Sequence, residues 1–419
     1  MRAHPVPGWR ASVSDLGVPA APLGLDQGMI ATDNDPFESR PLVGYIDERA
    51  YFLAGSSTVP SRQWWLIGID VRNGRPLFAP VALDIGSAAP RCFLNGTTTV
   101  LCIRDDGDVR NSVKGGIAWV IDTKQGIVTY AGPTDLRTYP GKLGVAQVGI
   151  YAVAESMHTG VYGIGPKADT TWFVPGDGKP SSKYPDNSDF PPPTLATQAD
   201  ANPSSFMNSV FSVRDGKVIA PQIEENAQQR KTRVYPGGFA AEIRVSQTDS
   251  QIRFFDETGK LTSRPGIDGS LADIDIPLPI VNSKDSWAAF TTDGRELLKQ
   301  QGRPSREALI VGEKLLMRDS SDSIAVRWRQ FDLQTGEQGK TCEHNLGVGY
   351  LGTDGSAVVI EDGNPNVGLV TKARDLATCD TLWTLTSPVG SFRDVWRINT
   401  TLVQLSDDGT ELMSLVAPG

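Results

Sequence analysis

The chain has 419 residues, 39% of them hydrophobic, with 43 Gly, 29 Pro and a formal net charge of −9. No apolar run approaches the roughly 18 residues a membrane-crossing helix needs. An acidic balance without a basic run excludes nucleic acid as a main partner, because phosphate binding needs a positive stripe.

Apolar residues at i, i+3, i+4, i+7 are nowhere sustained, so the sequence predicts short strands and turns rather than long helices. The first is an isolated strand over 9–13, followed by a loop. Strands over 41–46, 50–55 and 65–69 follow, and the third runs into Asp70-Val71-Arg72-Asn73-Gly74. Strands over 92–94, 99–103 and 117–121 lead in the same way to Asp122-Thr123-Lys124-Gln125-Gly126. A weaker unit covers 148–153, 160–163 and 172–174. The phrase returns one residue shorter as Asp256-Glu257-Thr258-Gly259, in a unit that starts at 209–213. It returns in full as Asp332-Leu333-Gln334-Thr335-Gly336, after strands over 308–311 and 314–317. Two further units cover 348–383 and 394–415, and the last has only three strands.

The phrase has a physical logic. Asp accepts hydrogen bonds from backbone groups just ahead of it and so starts a turn. Gly then takes a positive φ without a Cβ penalty. Each phrase therefore marks the hairpin between the two outer strands of a four-stranded sheet. Repetition of such a unit means a radial or solenoid β architecture. The count is seven units of about 60 residues, as in propeller blades with their loops. Residues 286–298, with Trp287 and Thr292-Asp293-Gly294, read as an insertion; counting them as a truncated unit gives the eight-bladed alternative. Strand 9–13 is expected to complete the last unit, closing a seven-bladed β-propeller and removing its exposed edge. The whole span 1–419 is expected to be one propeller domain, with a polar, Pro-rich excursion at 175–205 that is either an interblade loop or a partner contact. Trp65, Trp119, Trp172, Trp328 and Trp383 are expected in the blade-to-blade core. Trp64 and Trp65 point to opposite faces of one strand, so one packs between blades and the other is expected toward the outside.

The four cysteines are Cys92, Cys102, Cys342 and Cys379. The even count and the strand-turn-strand setting of the first pair favour disulfides 92–102 and 342–379 over buried thiols or reactive cysteine. Disulfides imply an oxidising compartment. The start Met1-Arg2-Ala3-His4-Pro5 has the look of a trimmed one, so an export signal or anchoring helix is expected ahead of it.

The Asp-x-x-x-Gly phrase after an apolar strand, with a Trp nearby, resembles the repeat of quinoprotein-like (pyrroloquinoline-quinone-type) β-propellers, which include an outer-membrane assembly lipoprotein. The turns at 292–297 and 407–412 resemble those of TolB-type propellers, and the composition is similar to that of exported actinobacterial envelope proteins. The resemblance implies the propeller fold, in its non-enzymatic branch. It carries over no quinone site: the adjacent-cysteine disulfide and the calcium-and-base set of quinone dehydrogenases have no match here.

Direct signals for chemistry are sparse. The histidines are His4, His158 and His344, with no zinc-hydrolase spacing, no nucleophile elbow and no P-loop. Asp105, Asp106 and Asp108 could ligate calcium through closely spaced oxygens, although the spacing is not that of an EF-hand. Asp33, Asp35 and Glu38, and Asp268, Asp273 and Asp275, form similar acidic loops. No catalytic residue and no cofactor other than that calcium is expected. These features together predict an extracytoplasmic, monomeric binding or scaffolding module for a protein complex of the cell envelope, membrane-anchored through a segment outside this sequence. The alternatives are a glycan- or lipid-active hydrolase with its site at the central mouth, and the ligand-sensing ectodomain of a membrane receptor.

Overall fold

In the computed structural model the described residues are 1–418 without 20–28, 31–40, 59–60, 87–88, 106–115, 141, 183–188, 202–207, 247–249, 263–265, 320–325, 344–348, 362–369 and 388–391. They form nine antiparallel sheets. Blade 1 is built on Leu42–Ile46, Arg49–Thr58 and Ser61–Asp70, with Arg75–Pro76 and Val81–Gly86 along its outer side. Blade 2 is Arg91–Leu94, Thr99–Asp105, Gly116–Asp122 and Val128–Thr134. Blade 3 runs from Lys142–Val148 to Thr170–Pro175. Blade 4 has Leu195–Ala199, Asn208–Ser212 and Val218–Ile219, its inner row reduced to a bridge between Ser181 and Thr197. Blade 5 runs from Gln228–Tyr235 to Ile267–Asp268, and blade 6 from Ser270–Leu271 to Glu296–Gln301. Blade 7 is Ala308–Val311, Lys314–Arg318 and Trp328–Asp332, with bridges to Gln338 and Cys342 in its outer row. Blade 8 runs from Tyr350–Thr353 to Thr381–Thr386. Blade 9 is Phe392–Ile398, Thr401–Ser406 and Glu411–Val416.

The seven-bladed reading, and its eight-bladed alternative, are therefore corrected to nine. The unit that starts at 209 is two blades, 4 and 5. The stretch 286–298 is not an insertion but the outer half of a full blade 6. The hidden strands lack an apolar run. Blade 5 begins on Gln228–Tyr235, which is exposed or half-buried over its first four residues. The inner row of blade 6 has only Ser270–Leu271. Leu195–Ala199 lies within the Pro-rich stretch 175–205, so part of that stretch is sheet.

Closure follows the expected route. Val6–Ser12 pairs with Glu411–Val416 as the fourth strand of blade 9, with Ala11 opposite Leu412. The indole Nε1 of Trp9 donates to Val71 O at 2.6 Å, locking this strand against blade 1. Nine buried clusters lie between successive blades among the described residues. One of them joins Ile398, Val403 and Leu412 of blade 9 to Phe52, Ile67 and Ile69 of blade 1, which completes the ring. Each blade is thus covered on both faces. For that reason Trp64 and Trp65 are both buried, one against blade 2 and one against blade 9, rather than one facing outward.

The recurring turns form as the chemistry demands. Asp122 Oδ1 accepts from the backbone N of Lys124 and Gln125 at 2.9 and 2.7 Å, and Asp332 Oδ1 from Gln334 and Thr335 at 2.9 and 3.0 Å. The glycine has a second duty. Gly126 has φ +66°, and a Cβ there would stand 2.5 Å from the Phe78 ring of the preceding blade. Gly74 meets Trp9 in the same way. Blade 8 holds a disguised copy, Asp375-Leu376-Ala377-Thr378-Cys379. Asp375 Oδ1 accepts from Ala377 and Thr378 N, and Cys379 takes the glycine's place at φ +66°.

Both disulfides are present. Cys92–Cys102 links opposed residues of the two inner strands of blade 2. Cys342–Cys379 joins the outer row of blade 7 to the turn of blade 8, so it staples two blades together.

Candidate binding site

The acidic residues singled out from the sequence do not gather at one mouth. Asp105 ends the second strand of blade 2, and its carboxylate accepts from the backbone N and the hydroxyl of Thr138. Asp106 and Asp108 lie outside the described residues, as do Asp33, Asp35, Glu38 and His344. Asp273 and Asp275 sit four blades away in blade 6. Both pair with the buried Arg233 of blade 5, at 3.3 and 2.8 Å. Asp268 is exposed at the outer edge of blade 5. His158 is exposed in a turn of blade 3, where its backbone N donates to Asp177 O at 3.0 Å. Among the described residues no three His, Cys, Asp or Glu side chains cluster as metal ligands would.

Two sites emerge from the tertiary structure instead. The first is on the axis. First strands of neighbouring blades lie against one another, as blades 1 and 2, 5 and 6, and 8 and 9 show, so they line the centre of the ring. Asp189 belongs to the connection within blade 4. Its carboxylate nonetheless accepts from the Tyr350 hydroxyl on the first strand of blade 8 and pairs with Arg397 on the first strand of blade 9. Each of those blades is four steps from blade 4, one in either direction, which is the widest separation nine blades permit. The chain therefore crosses the axis here. Phe190 packs against the apolar cluster of blades 6 and 7, which includes Ile274 and Ile276. Pro191, Pro192 and Pro193 then form a stiff return, since proline fixes φ, and Pro193 abuts Gly149 of blade 3. Burial raises the Tyr350 hydroxyl pKa, and the Asp189 carboxylate raises it further. Burial also raises that of Tyr45 on blade 1, against the opposing charge of Arg397.

The second site is a cleft of about 650 Å³ between blades 5 and 6. Its lining includes Lys231 and Asp273, and Arg303 and Arg306 from the connection into blade 7. Its wall is held in place by buried polar contacts. Arg233 Nη1 donates to Ala272 O at 2.6 Å, Lys231 Nζ to Leu271 O at 2.8 Å, and Leu271 N to Glu242 Oε1 at 2.8 Å. A smaller cleft of about 240 Å³ shares Lys231 and Asp273 and reaches across blade 4 to Lys179. Sequence reasoning missed both sites. Asp273, singled out with its acidic loop, lines both clefts, but the other residues come from segments with no common motif, and the Pro-rich stretch 175–205 carried no hint of its destination.

The match to known sequences is to a family described as the conjugation-associated 9-bladed beta-propeller domain, over residues 1–418. An uncharacterized protein of Mycolicibacterium smegmatis (strain MKD8) is 41% identical over 426 residues, covering 100% of this chain and 86% of that protein. Among solved structures, BamB from Moraxella catarrhalis aligns with 99% of this chain and 98% of its own, at 10% identity and a TM-score of 0.45. The computationally designed Ika8 protein aligns with 80% of this chain and 98% of its own, at 11% identity and a TM-score of 0.39. Neither structural likeness is close enough to bear on function. The sequence match, at full length and with the blade number the sheets display, does assign the chain: it belongs to the conjugation-associated 9-bladed β-propeller domain family.

Proposed function

We propose that this protein is an extracytoplasmic binding module, a closed ring that holds partner proteins in a conjugation-associated assembly of the cell envelope. The observation that carries the reading is the match to a conjugation-associated family over residues 1–418. Two disulfides with no free cysteine among the described residues support an oxidising compartment. A nine-bladed ring with its axis occupied by its own chain offers its faces and rim for contact, and propeller loops present extended surface without need of a catalytic set. The ring acts as a monomer held at the membrane. Calcium at Asp105, Asp106 and Asp108 remains a proposal, tested by a calcium-dependent rise in melting temperature that Asp108→Asn abolishes.

The main test uses donor cells lacking the gene. Their transfer frequency should fall and be restored by the wild-type copy. Affinity capture from the native envelope should bring down the same partner in repeated trials. Thiol labelling of the native protein should modify no cysteine until it is reduced. Unchanged transfer together with an empty capture would reject the binding-module reading, and four labelled thiols in the native protein would reject the compartment.

A further inference from the structure

We propose that the axial seat of Asp189 and Phe190 is a peptide-binding site, and that its second occupant is a partner's proline-rich stretch led by an acidic and an aromatic residue. The chain's own segment 189–193 is then a tethered competitor that such a stretch displaces. The two sides of the contact are built differently. The receiving side is buried and fixed. Tyr350 is buried, and the Arg397 side chain is only 12% exposed. Gly352 leaves the room that Arg397 fills, since a Cβ there would stand 2.5 Å from Arg397 Nη1. Tyr45 of blade 1 lies near enough for Arg397 and Asp189 to act on its hydroxyl. The apolar cluster of blades 6 and 7 supplies a wall for an aromatic ring. The segment itself is slight. Asp189, Pro191 and Pro192 are exposed, Phe190 is half-buried and Pro193 is buried. Residues 189–193 belong to no sheet, so releasing them breaks no strand pairing.

The chemistry of the present occupant defines that of the next. A carboxylate meets a buried cation and a hydroxyl, and a ring meets an apolar wall. Three consecutive prolines hold the backbone extended, which lowers the ordering cost of binding. The fit of Asp189 also leaves a donor unused: Arg397 Nε is buried without a hydrogen-bond partner among the described residues. A guanidinium is a planar fork that takes a carboxylate in two parallel bonds, so a carboxylate on a freer backbone gains where the tethered one does not. Assignment of the occupant to a partner protein rests on the binding-module reading; the seat itself does not.

The test is fluorescence anisotropy with a labelled Asp-Phe-Pro-Pro-Pro-Thr peptide, the sequence of 189–194, against Asn-Phe-Pro-Pro-Pro-Thr and Asp-Ala-Pro-Pro-Pro-Thr as controls. Asp189→Ala with Phe190→Ala frees the seat. That variant should bind the first peptide roughly tenfold or more tightly than the wild type, whose seat is filled by its own chain. Both control peptides should bind it more weakly, and adding Arg397→Ala should abolish binding. Melting temperatures above the assay temperature confirm that the variants fold. A second measurement leaves the segment in place. With 4-fluorophenylalanine at position 190, millimolar peptide should move the fluorine resonance toward that of a solvent-exposed ring. No binding by the released variant, equal binding by the wild type, binding that survives Arg397→Ala, or an unmoved fluorine signal overturns the site. If partner capture from the envelope persists in that case, the binding-module reading still stands. The peptide should also compete with the partner that the released variant captures, and binding without that competition overturns the choice of occupant.

Discussion

At the scale of single residues, the turn glycines and turn aspartates do most to make the blades. Gly126 combines a left-handed backbone with an aromatic ring in the space its side chain would fill. Gly126→Ala should therefore cost about 2–4 kcal/mol, the sum of a positive-φ penalty and an overpacked contact. Chemical denaturation measures it, and a loss no larger than that of an exposed-loop Gly→Ala control would refute the steric account. The aspartates predict an acid response. The Arg72 side chain and backbone hold Asp70 below its ordinary 3.8. The Thr258 hydroxyl and nearby amides do the same for Asp256, and the Thr335 and Gln334 amides for Asp332. A depressed folded pKa contributes stability that is complete above the unfolded value and is lost as pH falls through the folded one. The melting temperature should be flat toward neutrality and decline below about pH 4. Asp256→Asn with Asp332→Asn should lower it at neutral pH and make the acid limb shallower. An acid limb as steep as that of the wild type would assign the loss to other carboxylates.

At the scale of elements, the ring depends on one strand from the opposite end of the chain. Val6–Ser12 satisfies the backbone edge of Glu411–Val416, and its neighbours Val13 and Leu16 enter the core between blades 9 and 1. Deleting residues 1–16 removes that pairing together with the burial of Val13 and Leu16, each nearly inaccessible. The expected loss is about 4 kcal/mol or more, at 1.5–3 kcal/mol per large buried side chain. An unchanged melting temperature would contradict closure by this strand. The strand and its partner were legible because a three-stranded last unit and an orphan first strand each lack what the other supplies. The inner strands of blades 5 and 6 were not. A first strand faces the axis along one edge and needs few apolar residues, so polar Gln228–Tyr235 and the two-residue Ser270–Leu271 carry no alternating pattern to detect.

At the scale of the whole molecule, the Asp189 contact ties blade 4 to the far side of the ring. Asp189→Ala should cost about 1.5–3 kcal/mol, the range for hydrogen bonds to a charged group. In a double-mutant cycle with Arg397→Ala, the two losses should fall short of additivity, since each removes the same pair. Strict additivity in denaturation would show that the two residues do not meet across the axis. By itself the sequence determined what local chemistry can determine: the all-β class, the Asp-to-Gly hairpins, the buried Trp65, Trp119, Trp328 and Trp383 (Trp172 is only half-buried), the cysteine pairs and the strand that closes the ring. The turns and strands are written in neighbouring residues, the cysteine pairs in an even count, and the closing strand in a last unit one strand short. Only the tertiary structure decided the number of blades, the path of the Pro-rich segment through the axis, and the meeting of Lys231, Lys284, Arg303 and Arg306 around one cleft. Those features depend on how the ring brings distant segments together. In a closed ring, residues four blades apart in the chain become neighbours across the centre, and nothing in the spacing of residues along the chain encodes that distance.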